Sequence, residues 1–209
     1  MTPDQFLARC SQLWHVGAPG SFESIAVNGL RTAQQSIDAA DLDDEARAAL
    51  HGTPREASVH LVVDGQKIVL RDQAPLLKGD LTKFLEPGVS TEDWVKVLNR
   101  RTYLFTDRAR METMLHKYAQ LDGAQEVVAF SPLRLFDAAG PKIELSAQNA
   151  SAGARRTDTP KGRDTFVSVT RFPNKKPAEI TIVDGLDDLT GIIVRAERVD
   201  ADGTRTTLR

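Results

Sequence analysis

The sequence predicts an α+β domain, and three observations predict it. Apolar residues in the first fifty positions recur at helical spacing, as in Phe6, Leu7 and Cys10. Asp64-Gly65 lies between two alternating runs and signals a tight hairpin. After residue 125 short β-type runs follow one another without regular βαβ alternation. Helices come early and strands late, in one domain spanning residues 1–209.

Residues 3–12 are expected to form a short helix, and Leu13 to Val16 a strand. Gly17 to Gly20 reads as a turn, and Ser21 as the cap of a helix with Phe22, Ile25 and Ala26 inward. Asn28-Gly29 ends that helix, because both residues tolerate the left-handed conformation of a helix terminus. Thr32 to Ile37 and Asp43 to Leu50 are helical. Ser58 to Val63 and Lys67 to Leu70 form the hairpin, and Leu76 to Phe84 a short helix. Ser90-Thr91-Glu92-Asp93 caps a helix that buries Trp94, Val97 and Leu98. Thr102 to Phe105 is a strand, and Arg108 to Gln120 a helix with Met111, Met114 and Leu115 toward the core. Strands follow at Glu126 to Phe130, Lys142 to Leu145, Thr165 to Thr170, Ala178 to Val183 and Gly191 to Val199. Residues 147–164 read as a long loop, functional or disordered.

The chain has 209 residues, 41% hydrophobic, with a formal net charge of −2, enough for a substantial core. No apolar run reaches the ~20 residues of a membrane span, and MTPDQFLARC, with acid and amide residues where a signal peptide carries an apolar region, is not expected to be one. A single cysteine, Cys10, fits a reducing compartment, so the expected location is cytoplasmic. Four scattered histidines and one cysteine lack ligand spacing, so no metal site is expected. Seven basic residues lie between Ala154 and Lys176, against two acids, a composition suited either to a solvated surface or to a loop that meets phosphates.

Generic motifs are absent: no Walker A sequence, no GxGxxG after a strand, no GxSxG. What remains is an ordered set of short pieces. LWHVGAPGSFESIAVNGL places His15 on an apolar strand, then a glycine turn, then a helix ending in Asn-Gly-Leu. RTYLFTDRARMETML and QEVVAFSPLRLF supply a strand, a helix opening at an Asp, and a second strand. PAEITIVDGLDDLTGIIVRAERV opens a strand at Ala178-Glu179 and runs to the last one. This order resembles the ADP-ribosyltransferase-like fold of DarT and the tRNA 2′-phosphotransferases. Through IVLRDQAPL, TEDWVKVLNRRTYLF, KIELSAQNA and GRDTF the chain also resembles, over about 190 residues, a group of bacterial domains related to that fold. It departs from DarT in having Gly17 where a Thr or similar residue stands two positions after the histidine, and Arg71-Asp72-Gln73 in place of a tyrosine-rich segment.

The resemblance implies a split β-sheet core with peripheral helices, NAD as substrate, and transfer of ADP-ribose to an acceptor. For a toxin or defence enzyme of this kind the expected acceptor is a nucleic acid base, in DNA or RNA, with a protein or a small metabolite as alternatives, and an antitoxin or immunity protein as partner. Glu179 then supports the oxocarbenium-like state or takes the proton of the nucleophile. Arg71 is the preferred pyrophosphate ligand, with Arg55 the other candidate; either could instead pair with neighbouring Asp72 or Glu56. His15 is a candidate for a ribose hydroxyl, with Gly17 and Asn28 lining the same turn, and Tyr103 for stacking on nicotinamide. Asn149, Arg155, Arg156, Arg163 and Asp164 are candidates for acceptor contact, and removing the charges of Arg155, Arg156 and Lys161 is expected to weaken a polyanionic acceptor. Each also has an ordinary reading. Glu179 can be a surface residue alternating with Ile180 and Ile182, and His15 or Tyr103 a core residue. Two other functions share the fold class: an RNA 2′-phosphotransferase-like enzyme, and a non-catalytic module that binds nucleotide or a partner. The catalytic reading requires His15, Arg71 and Glu179 to converge.

Overall fold

A computed structural model of the chain describes residues 1–150 and 159–209. The fold is α+β, and among the described residues its strands form two four-stranded antiparallel sheets and a separate hairpin.

Thr2 caps the first helix, α1 (Pro3–Arg9), which stops three residues short of the expected end. Strand β1 (Leu13–Gly17) leads to α2 (Ser21–Asn28), whose cap is Gly20 rather than Ser21. Ile25 is buried in α2 as expected, but Ala26 faces outward. Gly29, at φ 76°, ends the helix; a Cβ there would lie 2.3 Å from the Leu186 carbonyl, so only glycine fits. Helices α3 (Ala33–Ala39) and α4 (Asp44–Gly52) follow, capped by Thr32 and Asp43.

The hairpin forms as expected from β2 (Val59–Val63) and β3 (Gln66–Leu70), with positive φ at both Asp64 and Gly65. Two 3₁₀ turns, Ala74–Leu77 and Leu81–Phe84, replace the single helix expected over 76–84. Gly79, at φ 98°, breaks the segment between them. Helix α5 (Thr91–Asn99) carries the expected capping box and buries Trp94 and Leu98, together with Val95 and Asn99. Strand β4 (Arg101–Leu104), helix α6 (Arg108–Asp122) and strand β5 (Gln125–Phe130) come next.

An additional helix, α7 (Pro132–Ala139), starts at Ser131, which caps it, and Pro132, which is preset for a first helical position. Strand β6 (Ile143–Ser146) is followed by β7, which covers only Val167–Ser168 of the expected 165–170 run. Strands β8 (Glu179–Val183), β9 (Ile193–Val199) and β10 (Arg205–Thr207) complete the chain.

The first sheet runs β1-β5-β9-β10 and the second β4-β8-β6-β7. They meet where Trp14 and Phe105 exchange backbone hydrogen bonds of 3.1 and 2.8 Å. Leu13, Val128, Phe130 and Ala196 from the first sheet share one core with Leu104, Ile143, Leu145, Ile180 and Ile182 from the second. Because strand residues alternate faces, the second sheet's opposite face presents Arg101, Tyr103, Glu144, Glu179 and Thr181. That polar face is packed by a smaller cluster containing Trp94, Leu98 and Phe166. No helix among the described residues is long and apolar enough to cross a membrane.

Candidate functional site

Glu179 opens β8 on the polar face of the second sheet, opposite Ser146 of β6 and diagonal to Tyr103 of β4. Its Oε2 accepts a 3.0 Å hydrogen bond from the Ala150 amide. Burial pushes the carboxyl up from its ordinary value to about 7; the Ala150 amide and the charges of Lys161 and Arg110 act the other way. Among the described residues, Lys161 and Arg110 are therefore the cations that Glu179 senses. A carboxyl poised near neutrality is suited to proton transfer.

Tyr103 lies on β4, the edge strand of this face. Its ring meets Phe166 in a T-shaped contact with centroids 6.4 Å apart, and Phe166 is itself stacked on Trp94 at 6.1 Å. The Tyr103 ring is thus part of an aromatic cluster. Its hydroxyl is buried and has no hydrogen-bond partner among the described residues. Burial raises the phenol well above its ordinary pKa, and the Glu179 charge raises it further, so it is a neutral donor.

His15 is half-buried on β1, with Nδ1 3.2 Å from the main-chain oxygen of Tyr103. A carbonyl only accepts, so Nδ1 carries the hydrogen and Nε2 is left as an acceptor in the neutral ring. Burial lowers the His15 pKa, and the positive charge of Arg71 lowers it further. The ring is therefore uncharged at neutral pH.

Arg71 is engaged on several sides. Nη1 donates to Asp122 at 2.9 Å, Nη2 donates to Gln125, and the guanidinium lies 4.1 Å from the Tyr118 ring centroid. It fastens the end of β3 to the end of α6, with Asp122 as its ionic partner rather than Asp72. Arg55 presents the opposite case. It is 9% exposed, donates from Nε to the Arg71 carbonyl and from Nη1 to Asn99, and forms no ion pair among the described residues. Burial lowers its pKa to about 10, while Asp72 and Tyr103 raise it. An anion would compensate this buried cation better than it would Arg71.

The opening glycine turn has its own occupant. The Gly20 and Phe22 amides donate to Glu126 at 2.9 and 2.7 Å, so a carboxylate of the protein already holds the start of α2. Gly17 is needed for packing, since a Cβ there would lie 2.3 Å from Ser21 Oγ. Asn28 donates to Gln66 at 2.8 Å and ties α2 to the hairpin. These three contacts give Gly17, Asn28 and the turn structural duties, which the sequence pattern alone did not reveal.

Arg155 and Arg156 lie outside the described residues. Asn149, Arg163 and Asp164 are exposed, and Asp164 pairs with Arg171 at 3.1 Å. Lys161, expected on the surface with the loop charges, is instead 1% exposed. Its backbone is bonded to Phe84 and Glu86, which draws the residue inward and removes it from any contact with acceptor phosphates. A cavity of about 350 Å³ is lined by Trp94, Val97, Arg101, Arg163 and Phe166, among others; His15, Arg71 and Glu179 do not line it. It adjoins the Tyr103 cluster through Phe166.

His15 and Glu179 therefore approach Tyr103 from its main chain and its side chain, with Arg55 and Arg71 nearby. Sequence reasoning missed Lys161, Asn99 and Phe166 as neighbours of this centre. Only folding brings them there; the GRDTF stretch held Phe166 without marking its contact. Among the described residues no group of three His, Cys, Asp or Glu side chains is arranged to hold a metal ion.

No curated protein matches the chain. Residues 11–199 match the sequence pattern of a family of unknown function (DUF7002), and the chain belongs to that family.

Proposed function

We propose that this domain transfers ADP-ribose from NAD to an acceptor, with Glu179 as the catalytic carboxylate. One observation carries the reading: Glu179 sits on an interior polar face, anchored by the Ala150 amide, with burial holding its carboxyl at about 7. In the reaction the bond from the anomeric carbon to nicotinamide breaks, and the electron pair leaves with nicotinamide. The acceptor's nucleophile bonds to the same carbon and loses a proton. An ionised Glu179 stabilises the positive charge in between, or takes that proton.

His15 Nε2 accepts from a ribose hydroxyl. Arg55, a buried cation without an ion pair among the described residues, and the Tyr103 hydroxyl are better placed to hold phosphate oxygens than Arg71 is. The cavity beside Phe166, with exposed Arg163 at its edge, is the place for a nucleic acid base as acceptor. A split-sheet ADP-ribosyltransferase architecture is consistent with two four-stranded sheets joined at Trp14 and Phe105. As a toxin or defence enzyme the domain would be held in check by an antitoxin or immunity protein.

Incubation with labelled NAD and a panel of DNA, RNA and protein acceptors, read by mass spectrometry, tests the proposal. Release of nicotinamide with a mass gain on one acceptor class supports it. A phosphotransferase would instead remove phosphate from an RNA end without releasing nicotinamide. A binding module would do neither.

A further inference from the structure

Lys161 is a buried lysine with no part in the chemistry so far. Its amide donates to the Phe84 carbonyl at 2.7 Å, and its carbonyl accepts from Glu86 at 2.9 Å. The residue is thus pinned at both backbone groups, in a parallel bridge with Leu85. Its side chain runs inward, and Nζ donates to the Ala150 carbonyl at 3.1 Å. Glu179 holds the amide of that same residue at 3.0 Å. Ala150 is therefore held at its carbonyl by buried Lys161 and at its amide by half-buried Glu179, two groups of opposite charge.

We infer that Lys161 is a positioning residue for Glu179: it fixes the Ala150 support of the carboxylate and favours its ionised form. This rests on the role proposed for Glu179. Among the described residues, the charged and titratable groups around the carboxyl are Tyr103 from β4, Arg110 from α6 and Lys161; Ser146 stands opposite on β6. Arg110 is exposed and donates to the Ala178 carbonyl at 3.4 Å, so water screens its charge. Among the described residues Lys161 is the buried cation beside the carboxyl, and burial strengthens its effect. The interaction is mutual. Burial lowers the lysine's own pKa, and the Glu179 charge raises it.

The test is the titration of Glu179, followed by NMR of carboxyl-labelled glutamate in the full chain. Lys161→Met keeps the length of the side chain and removes its charge. The Glu179 midpoint should rise by roughly one unit, and any NAD-dependent rate should move its pH midpoint upward by the same interval. Lys161→Arg, which keeps the charge, should return both toward the wild-type position. An unchanged midpoint in Lys161→Met overturns the inference. Should that variant not fold, Glu179→Gln gives the reciprocal reading: with labelled lysine, the Lys161 midpoint should fall when the carboxylate is lost. A Lys161 midpoint that stays in place overturns the inference equally. The NMR readings need no turnover, so a chain inactive on NAD would remove the proposed function while leaving this coupling measurable.

Discussion

Glu179 accepts a 3.0 Å hydrogen bond from the amide of Ala150, the last residue of the LSAQNA stretch. That bond ties the start of β8 to the end of the segment leaving β6. It also partly offsets the cost of enclosing a carboxylate, because a backbone amide favours the ionised form.

The first prediction concerns stability against pH. Glu179 titrates at about 7 in the fold, against an ordinary value of 4.5. The folded chain thus holds this proton more tightly than the unfolded chain. The group's contribution is complete below pH 4.5 and is lost as the pH rises through about 7. The loss amounts to about 3 kcal/mol at most. Glu179→Gln cannot ionise, so denaturation should find it more stable than wild type at pH 8 and similar at pH 4. Equal stability of the two proteins at both pH values would show that the carboxyl is not desolvated.

Arg71 yields the second prediction. Its contacts with Asp122, Gln125 and Tyr118 join β3 to α6. Arg71→Ala should lower stability by about 2 kcal/mol, since it leaves buried Gln125 short of a partner. Chemical denaturation measures this. A variant that keeps full stability but loses NAD affinity would restore Arg71 as the phosphate ligand.

The Tyr103 hydroxyl separates support from binding. Tyr103→Phe removes a buried hydroxyl that has no partner among the described residues, and keeps the ring against Phe166. Stability should hold or rise by up to about 1 kcal/mol. NAD affinity, measured calorimetrically, should fall several-fold if the hydroxyl meets the ligand. Loss of stability with unchanged affinity would make it a structural group.

Gly17→Ala should destabilise the fold by about 1–3 kcal/mol, because the added carbon would meet the Ser21 side chain at 2.3 Å. Thermal unfolding is the check. Unaltered stability would return Gly17 to the list of ligand contacts.

The parts of the fold that were legible in the sequence share one property: their signals are local. Ser90 and Asp93 announce α5, and Asp64-Gly65 announces the hairpin, within four residues each. Helix α7 escaped because SPLRLFDAAG follows a strand directly and its apolar residues, Leu135 among them, also read as a continuation. At the site, the place of Glu179 at the start of a strand also fits a surface residue; it was singled out by the resemblance of PAEITIVDGLDDLTGIIVRAERV to a transferase segment. Its neighbours were not, since Ala150 and Lys161 reach it only through the backbone bonds of Lys161 to Phe84 and Glu86. In the sequence Arg71, at a strand end, is preferred over Arg55 as the phosphate ligand. Burial and partners separate them: Asp122 neutralises one, and the other has no ion pair among the described residues.

The most direct measurement of the central claim compares wild type and Glu179→Gln for NAD binding and for nicotinamide release. The substitution preserves size and an acceptor for the Ala150 amide while deleting the charge. NAD affinity should change little, because the ground state carries no developing charge at the anomeric carbon. Nicotinamide release should fall by about 10²-fold or more, the scale for losing one well-placed electrostatic or acid–base group. A folded Glu179→Gln protein that binds NAD and releases nicotinamide at the wild-type rate would contradict the account.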